Sequence, residues 1–186
     1  INSKKWRGEI LASFLGNHIN SNNLQTDTEI KVSFDDTKIT FINHHDAHFA
    51  NAYYLSGMKD AIVLTIDGKG EKDSTVIQYV KDSKVNLINN IEFPHSLGMF
   101  YASFTDFLGF KPESDEWKVM AIGAINHQKK IENPYIEKIG NLIKLTDVGY
   151  EIDLKYFDYY LFDRQKSFFN PKLENYLELK KLNKEN

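Results

Sequence analysis

The apolar run Ala61-Ile62-Val63-Leu64-Thr65-Ile66 constrains the fold more than any other stretch, because it stops abruptly at Asp67-Gly68-Lys69-Gly70. It reads as a strand over residues 60–66 that ends in a glycine turn. Before it, residues 44–56 place small and aromatic side chains (Ala47, Ala50, Tyr54, Leu55) at helical spacing, with Gly57 as a cap. After it come two further strands, residues 75–80 and 85–93, joined by Lys81-Asp82-Ser83-Lys84. Upstream, residues 30–34 and 38–42 alternate as two short strands about Asp35-Asp36. The order strand, helix, strand, loop, strand, strand predicts an α/β domain with a mixed sheet.

The flanks are helical in expectation. Trp6, Ile10, Leu11, Phe14 and Leu15 share one helix face, which Gly16 and an asparagine-rich stretch terminate. Ser96 or His95 caps a helix running through Met99, Phe100, Phe104 and Leu108 to Gly109, and a shorter helix covers residues 116–124. Residues 141–154 read as a hairpin turning at Asp147-Val148-Gly149. The tail is aromatic and then a charged helix over residues 171–184; so many rings near one end imply a surface that further chain covers. The opening Ile-Asn-Ser-Lys-Lys-Trp reads as a cut end, so an internal piece of a longer protein is expected.

Composition removes several function classes. The chain has no cysteine, so any metal would be held by His, Asp or Glu. A net charge of −3 supplies no basic field for nucleic acid. No apolar run approaches the roughly 20 residues of a membrane span. There is neither a Gly-x-Ser-x-Gly elbow nor a thiol, so an acyl-enzyme has no candidate nucleophile.

The chemistry concentrates in His44-His45-Asp46-Ala47-His48. On a helix, positions i and i+4 lie on one face, so His44 and His48 can share an ion, while His45 points roughly 100° away. Two neutral imidazoles need an anionic oxygen beside them, and Asp67 at the following strand end is a natural source. A capped, solvated helix start and an ordinary Asp-Gly turn are the plainer reading of the same residues. Gly68-Lys69-Gly70 can bring backbone N–H groups close to a phosphate, in the strand–turn–strand style of actin-like ATPase hairpins; an ordinary hairpin is the alternative. Lys118 lies among Glu113, Asp115 and Glu116, where a surface ion pair is the simplest role.

In order, several segments resemble one family. They are His44-His45-Asp46-Ala47-His48 through Gly57, Ala61 through Asp67-Gly68-Lys69-Gly70-Glu71, Pro94-His95-Ser96-Leu97-Gly98 through Leu108-Gly109-Phe110-Lys111-Pro112, Glu116-Trp117-Lys118-Val119-Met120, and Asp153-Leu154-Lys155-Tyr156-Phe157. The family is the O-carbamoyltransferases of nodulation and antibiotic biosynthesis, whose catalytic domain is similar to tRNA threonylcarbamoyl-transfer proteins. The match covers about residues 38–157, leaving residues 158–186 as a helical end.

The resemblance implies an actin/Hsp70-like (ribonuclease H-like) domain, here its central part over residues 1–186. The first hairpin with the candidate base, the rest of the domain and a C-terminal YrdC-like domain would lie outside, so the fragment alone should be inactive. It implies carbamoyl transfer from carbamoyladenylate, made from carbamoyl phosphate and ATP with Mg, to a hydroxyl of a small molecule or sugar in the cytoplasm. By position, the ligands of one divalent metal (iron, zinc or manganese) would be His44, His48 and Asp67. Gly68, Lys69, Gly70 and Lys118 would face the nucleotide phosphates. Ile122-Gly123-Ala124-Ile125-Asn126 departs from the family pattern. Two rivals remain: a threonylcarbamoyl-transfer protein, disfavoured because Asp67-Gly68-Lys69-Gly70 replaces a Ser-Gly-Gly-His turn, and a non-catalytic metal- or nucleotide-binding module.

Overall fold

The structure is a computed structural model that describes residues 42–128 and 132–182. The helix expected around Trp6–Leu15 and the strands expected over residues 30–34 and 38–42 lie outside the described residues, save Ile42.

Helix α1 (His44–Ser56) starts at Asn43, whose side chain accepts from the His45 and Asp46 N–H groups, and stops at Gly57, which is left-handed at φ 69°. Strands β1 (Ala61–Ile66), β2 (Asp73–Lys81) and β3 (Lys84–Glu92) form an antiparallel sheet in the order β1-β2-β3. Asp82 and Ser83, both at positive φ (50° and 61°), make the two-residue β2–β3 turn; this hand of turn matches the twist of paired strands. Strand β1 alternates. Val63 and Thr65 are buried, and Val63 packs with Phe49 of α1 and Val80 of β2, whereas Ile62, Leu64 and Ile66 face outward.

The larger core is built on α2 (Leu97–Phe107). The tail after the hairpin β4 (Ile143–Thr146) and β5 (Gly149–Ile152) returns to cover it. Phe157, Tyr159, Phe169, Leu173 and Leu177 are all buried with Met99, Phe100 and Phe107. The aromatic tail is therefore largely covered by its own chain: Phe157, Tyr159 and Phe169 are core, Tyr156, Tyr160 and Phe168 pack partly buried against it, and Phe162 remains exposed. The helical end is seen in part: its helix begins at Pro171 as expected but is shorter. This end consists of 3-10 turns (Leu154–Tyr156 and Tyr159–Arg164), a strand-like pairing of Phe157 with Phe169, and the short helix α5 (Pro171–Leu177). Helix α5 ends because Glu178 turns left-handed (φ 57°), so that the N–H groups of Glu178 and Leu179 return to the Asn175 and Glu174 carbonyls. Between α2 and β4 lie α3 (Glu116–Gln128), longer than expected because Gly123 does not interrupt it, and the single turn α4 (Ile136–Gly140).

Candidate metal centre

Helix α1 delivers its histidines to the end of β1. His48 Nε2 lies 3.1 Å from His44 Nε2 and 3.1 Å from Asp67 Oδ2, and His44 Nε2 is in direct contact with the same oxygen. One ligand atom from each of the three residues falls within a 4.8 Å group. Two imidazole nitrogens and one carboxylate oxygen thus meet at one point, held together here by hydrogen bonds to Asp67 Oδ2. The three atoms form a group that could hold one metal ion. Ligand bonds of about 2.0–2.1 Å set neighbouring donor atoms about 3.0–3.4 Å apart; the two 3.1 Å separations to His48 fall in that range, whereas the His44–Asp67 contact is shorter and would have to open to admit an ion. The donor set fits the two-histidine, one-carboxylate pattern that leaves coordination positions open. Burial pushes the Asp67 carboxyl up, but hydrogen bonds from His44, the Gly68 N–H and His48 outweigh it and hold the group below its ordinary value. Asp67 is thus a carboxylate at neutral pH.

His45 takes a different role, consistent with its helix face. It is buried, with Nδ1 2.8 Å from Thr65 Oγ1 on β1 and Nε2 2.9 Å from the Asp73 carbonyl on β2. A carbonyl only accepts, so Nε2 carries the proton and Nδ1 accepts from the Thr65 hydroxyl. His45 thereby pins the first turn of α1 to two strands. Glu71 pins it from another side, because its carboxylate oxygens accept from the His44 N–H at 3.1 and 3.3 Å. That bond holds the Glu71 carboxyl below its usual range, as expected of an anion at a helix N-terminus. Sequence reasoning missed Glu71 as a cap, since the pair is separated by 27 positions.

The glycines serve packing. A side chain at Gly70 would come within 3.0 Å of His45 Cδ2 and 3.3 Å of His44 Cβ. One at Gly98, in the first turn of α2, would lie 2.6 Å from Gly68 N and 2.7 Å from Asp67 O. Ser96 reinforces this junction. Its hydroxyl accepts from Met99 N at 3.0 Å and lies 2.7 Å from the Gly68 carbonyl, to which it donates. Helix α2 therefore abuts the backbone of the Asp67 turn. The Gly68 N–H donates to Asp67 Oδ1 (2.6 Å) and the Gly70 N–H to the Asp73 carbonyl (2.7 Å), so both have acceptors within the protein. Lys69 extends away over the Phe162 ring, 4.5 Å from its centroid. Lys118 pairs with Asp115 at 2.9 Å, the surface arrangement weighed above, on a helix that meets α2 where Tyr101 reaches the Glu116 carbonyl. The structure thus brings His44, His48 and Asp67 together and sends the two lysines elsewhere.

Residues 4–185 match the family described as carbamoyltransferase N-terminus. The chain belongs to this family. An uncharacterised protein of Synechocystis sp. is 34% identical over 123 residues, covering 65% of this chain and 19% of that protein. An uncharacterised protein of Methanocaldococcus jannaschii is 33% identical over 124 residues, 67% of this chain and 22% of that protein. Nodulation protein NolNO of Sinorhizobium fredii is 31% identical over 94 residues, 50% of this chain and 14% of that protein. The chain spans about a fifth or less of the relatives it matches. Among the described residues no helix is long and apolar enough to cross a membrane.

Proposed function

We propose that the full-length protein transfers a carbamoyl group to a hydroxyl, and that His44, His48 and Asp67 hold one divalent metal, iron, zinc or manganese, for that reaction. The observation that carries this reading is the convergence of the three ligand atoms inside a chain that matches a carbamoyltransferase family. The donor is carbamoyladenylate, formed from carbamoyl phosphate and ATP with Mg in a YrdC-like domain C-terminal to an actin-like one. The work takes place in the cytoplasm, where those substrates are made. In the transfer step the acceptor oxygen attacks the carbamoyl carbon, the bond to the AMP phosphate breaks, and the hydroxyl proton passes to a base outside this chain. When bound, the metal supplies Lewis-acid polarisation and offsets phosphate charge.

The residues of this chain contribute positioning. His45 and Glu71 fix the orientation of α1, and with it the backbone positions from which His44 and His48 reach Asp67. The Gly68 N–H holds Asp67 by the oxygen turned away from the histidines. Lys69 and Lys118 are the phosphate-side candidates, Lys118 by exchanging Asp115 for a phosphate. The Gly68 and Gly70 N–H groups reach a phosphate only if the turn gives up its present bonds.

The test is AMP release by the full-length enzyme given ATP, carbamoyl phosphate and a hydroxyl acceptor, with bound metal measured by elemental analysis. His48→Ala should lose both metal and acceptor-dependent AMP release. Undiminished AMP release from a metal-free His44→Ala/His48→Ala enzyme would sink the metal assignment.

A further inference from the structure

Residues 94–97 join β3 to α2, and each is hydrogen-bonded to another segment of the chain. The Pro94 carbonyl accepts from the Tyr159 hydroxyl of the tail at 2.6 Å. His95 Nδ1 accepts from the Ile152 N–H of β5 at 3.0 Å, and the His95 carbonyl accepts from Ser74 Oγ of β2 at 2.5 Å. Ser96 Oγ donates to the Gly68 carbonyl, and the Leu97 N–H donates to the Tyr150 hydroxyl of β5 at 3.3 Å. Ser74 and Ser96 are buried, as is Thr75, whose hydroxyl meets that of Tyr150 at 2.8 Å. Apolar side chains could fill the same space. Hydroxyls and an imidazole placed there need directed partners, so the network fixes a geometry that plain packing would leave loose.

These bonds include a path that ends at Asp67. The Ile152 N–H reaches the His95 ring from the hairpin. The backbone carbonyl of the same histidine holds Ser74 Oγ, whose other acceptor, the Ile91 carbonyl, is more distant at 3.1 Å. The Ser74 carbonyl in turn accepts from the Asp67 N–H at 2.9 Å. His95 is the link between hairpin and sheet in this path. A backbone N–H only donates, so an acceptor is required at the Nδ1 position, and the ring proton sits on Nε2. A shift of the Asp67 main chain also shifts its Oδ2, the oxygen that both histidines meet, because the Gly68 N–H holds the carboxylate to the turn by Oδ1.

We infer that His95 is a positioning residue for the metal centre, through which the β4–β5 hairpin holds the Asp67 turn in place. The ion rests on the proposed function; the hold on the turn does not.

The experiment uses the full-length protein with Co(II), whose visible spectrum reports its ligands. Beside it, hydrogen–deuterium exchange is followed by mass spectrometry over residues 62–70 of the metal-free protein. His95→Phe keeps a ring but no acceptor. It should raise the Co(II) dissociation constant roughly three- to tenfold, alter the cobalt spectrum and speed exchange over 62–70, although no ligand is changed. Partners bonded directly to a metal ligand cost about 10–100-fold, and His95 acts from further out. His95→Asn puts an oxygen where Nδ1 was and should restore both readouts. Ser74→Ala cuts the path beyond His95 and should reproduce the loss with the Ile152 bond intact, so the result does not hang on the folding of one variant. Leu177→Ala, which opens a cavity in the packing of α5, controls for a general loss of stability and should leave both readouts unchanged. Equal effects of Leu177→Ala and His95→Phe overturn the inference. So does a His95→Phe protein with wild-type affinity and exchange, or a His95→Asn protein no better than His95→Phe. A wild-type protein that binds no Co(II) removes the metal reading alone, and exchange over 62–70 then decides the role of His95.

Discussion

At the scale of single residues, adjacent histidines divide the labour, and the difference is burial. His44 and His48 are partly or fully exposed and aim at Asp67, whereas His45 is 2% exposed and its ring nitrogens bridge two strands. On the proposed metal reading, His44→Ala should abolish metal content with little loss of stability. His45→Ala should lower stability by about 1–3 kcal/mol, since it leaves the Asp73 carbonyl without its ring donor and opens a void, and should lower metal content less. Denaturant unfolding and elemental analysis separate the two; a stable, metal-free His45→Ala protein would contradict the division. Lys118 poses a question of magnitude. Its half-exposed pair with Asp115 is worth about 0–1 kcal/mol, whereas a charged phosphate contact is worth about 1.5–3 kcal/mol. A phosphate within reach therefore wins. Lys118→Met should raise the nucleotide dissociation constant about tenfold by calorimetry, and an unchanged constant leaves Lys118 as an ion-pair residue.

At the scale of elements, the decisive contact is helix α2 against the Asp67 turn. The Gly98 position has no room for a methyl group, since Gly68 N and Asp67 O stand where it would go and neither backbone atom can rotate aside. Gly98→Ala should push α2 away, cost about 1–3 kcal/mol, and weaken metal binding although no ligand is changed. Ser96→Ala removes the cap and the tie to Gly68 and should cost about 1–2 kcal/mol; Ser96→Asp, which keeps the capping acceptor but not the donor, should recover only part. The sequence announced α1, the three strands, the β4–β5 hairpin and the Ser96 cap, because each has a period or a turn residue with a local cause. It also placed His44 and His48 on one face by spacing alone. It did not announce Glu71 as the cap of α1 or Gly98 as a close approach, since both depend on partners distant in the chain. The 3-10 tail was illegible for another reason: Tyr159–Arg164 follows no hydrophobic period, and its rings are placed one by one by the core they fill.

At the scale of the whole described fold, the tail closes over α2 and is fastened by two carboxylates. Asp106, near the end of α2, accepts from the Ser167 hydroxyl, from Phe168 N at 3.0 Å and from Lys181 Nζ at 2.5 Å. Glu174 on α5 accepts from Lys181 N at 2.8 Å, and Leu182 N reaches the Phe107 carbonyl at 3.0 Å. The bond from the Lys181 N–H outweighs desolvation and, with the Lys180 ammonium, holds the Glu174 carboxyl below its ordinary value. A carboxyl whose folded value lies below its unfolded one stabilises the fold above the unfolded value, and that contribution is lost as pH falls through the folded one. The last turn of the tail should therefore loosen on acidification below the ordinary glutamate range of about 4.5, not on alkalinisation. Hydrogen-exchange protection factors of Leu179, Lys181 and Leu182 should fall in that window before those of α2 do. Glu174→Ala, which removes the acceptor, should show low protection of the Lys181 amide at neutral pH and no further change on acidification through the window. A tail that keeps its protection until α2 itself unfolds would show that the packed rings, rather than Glu174, hold it in place.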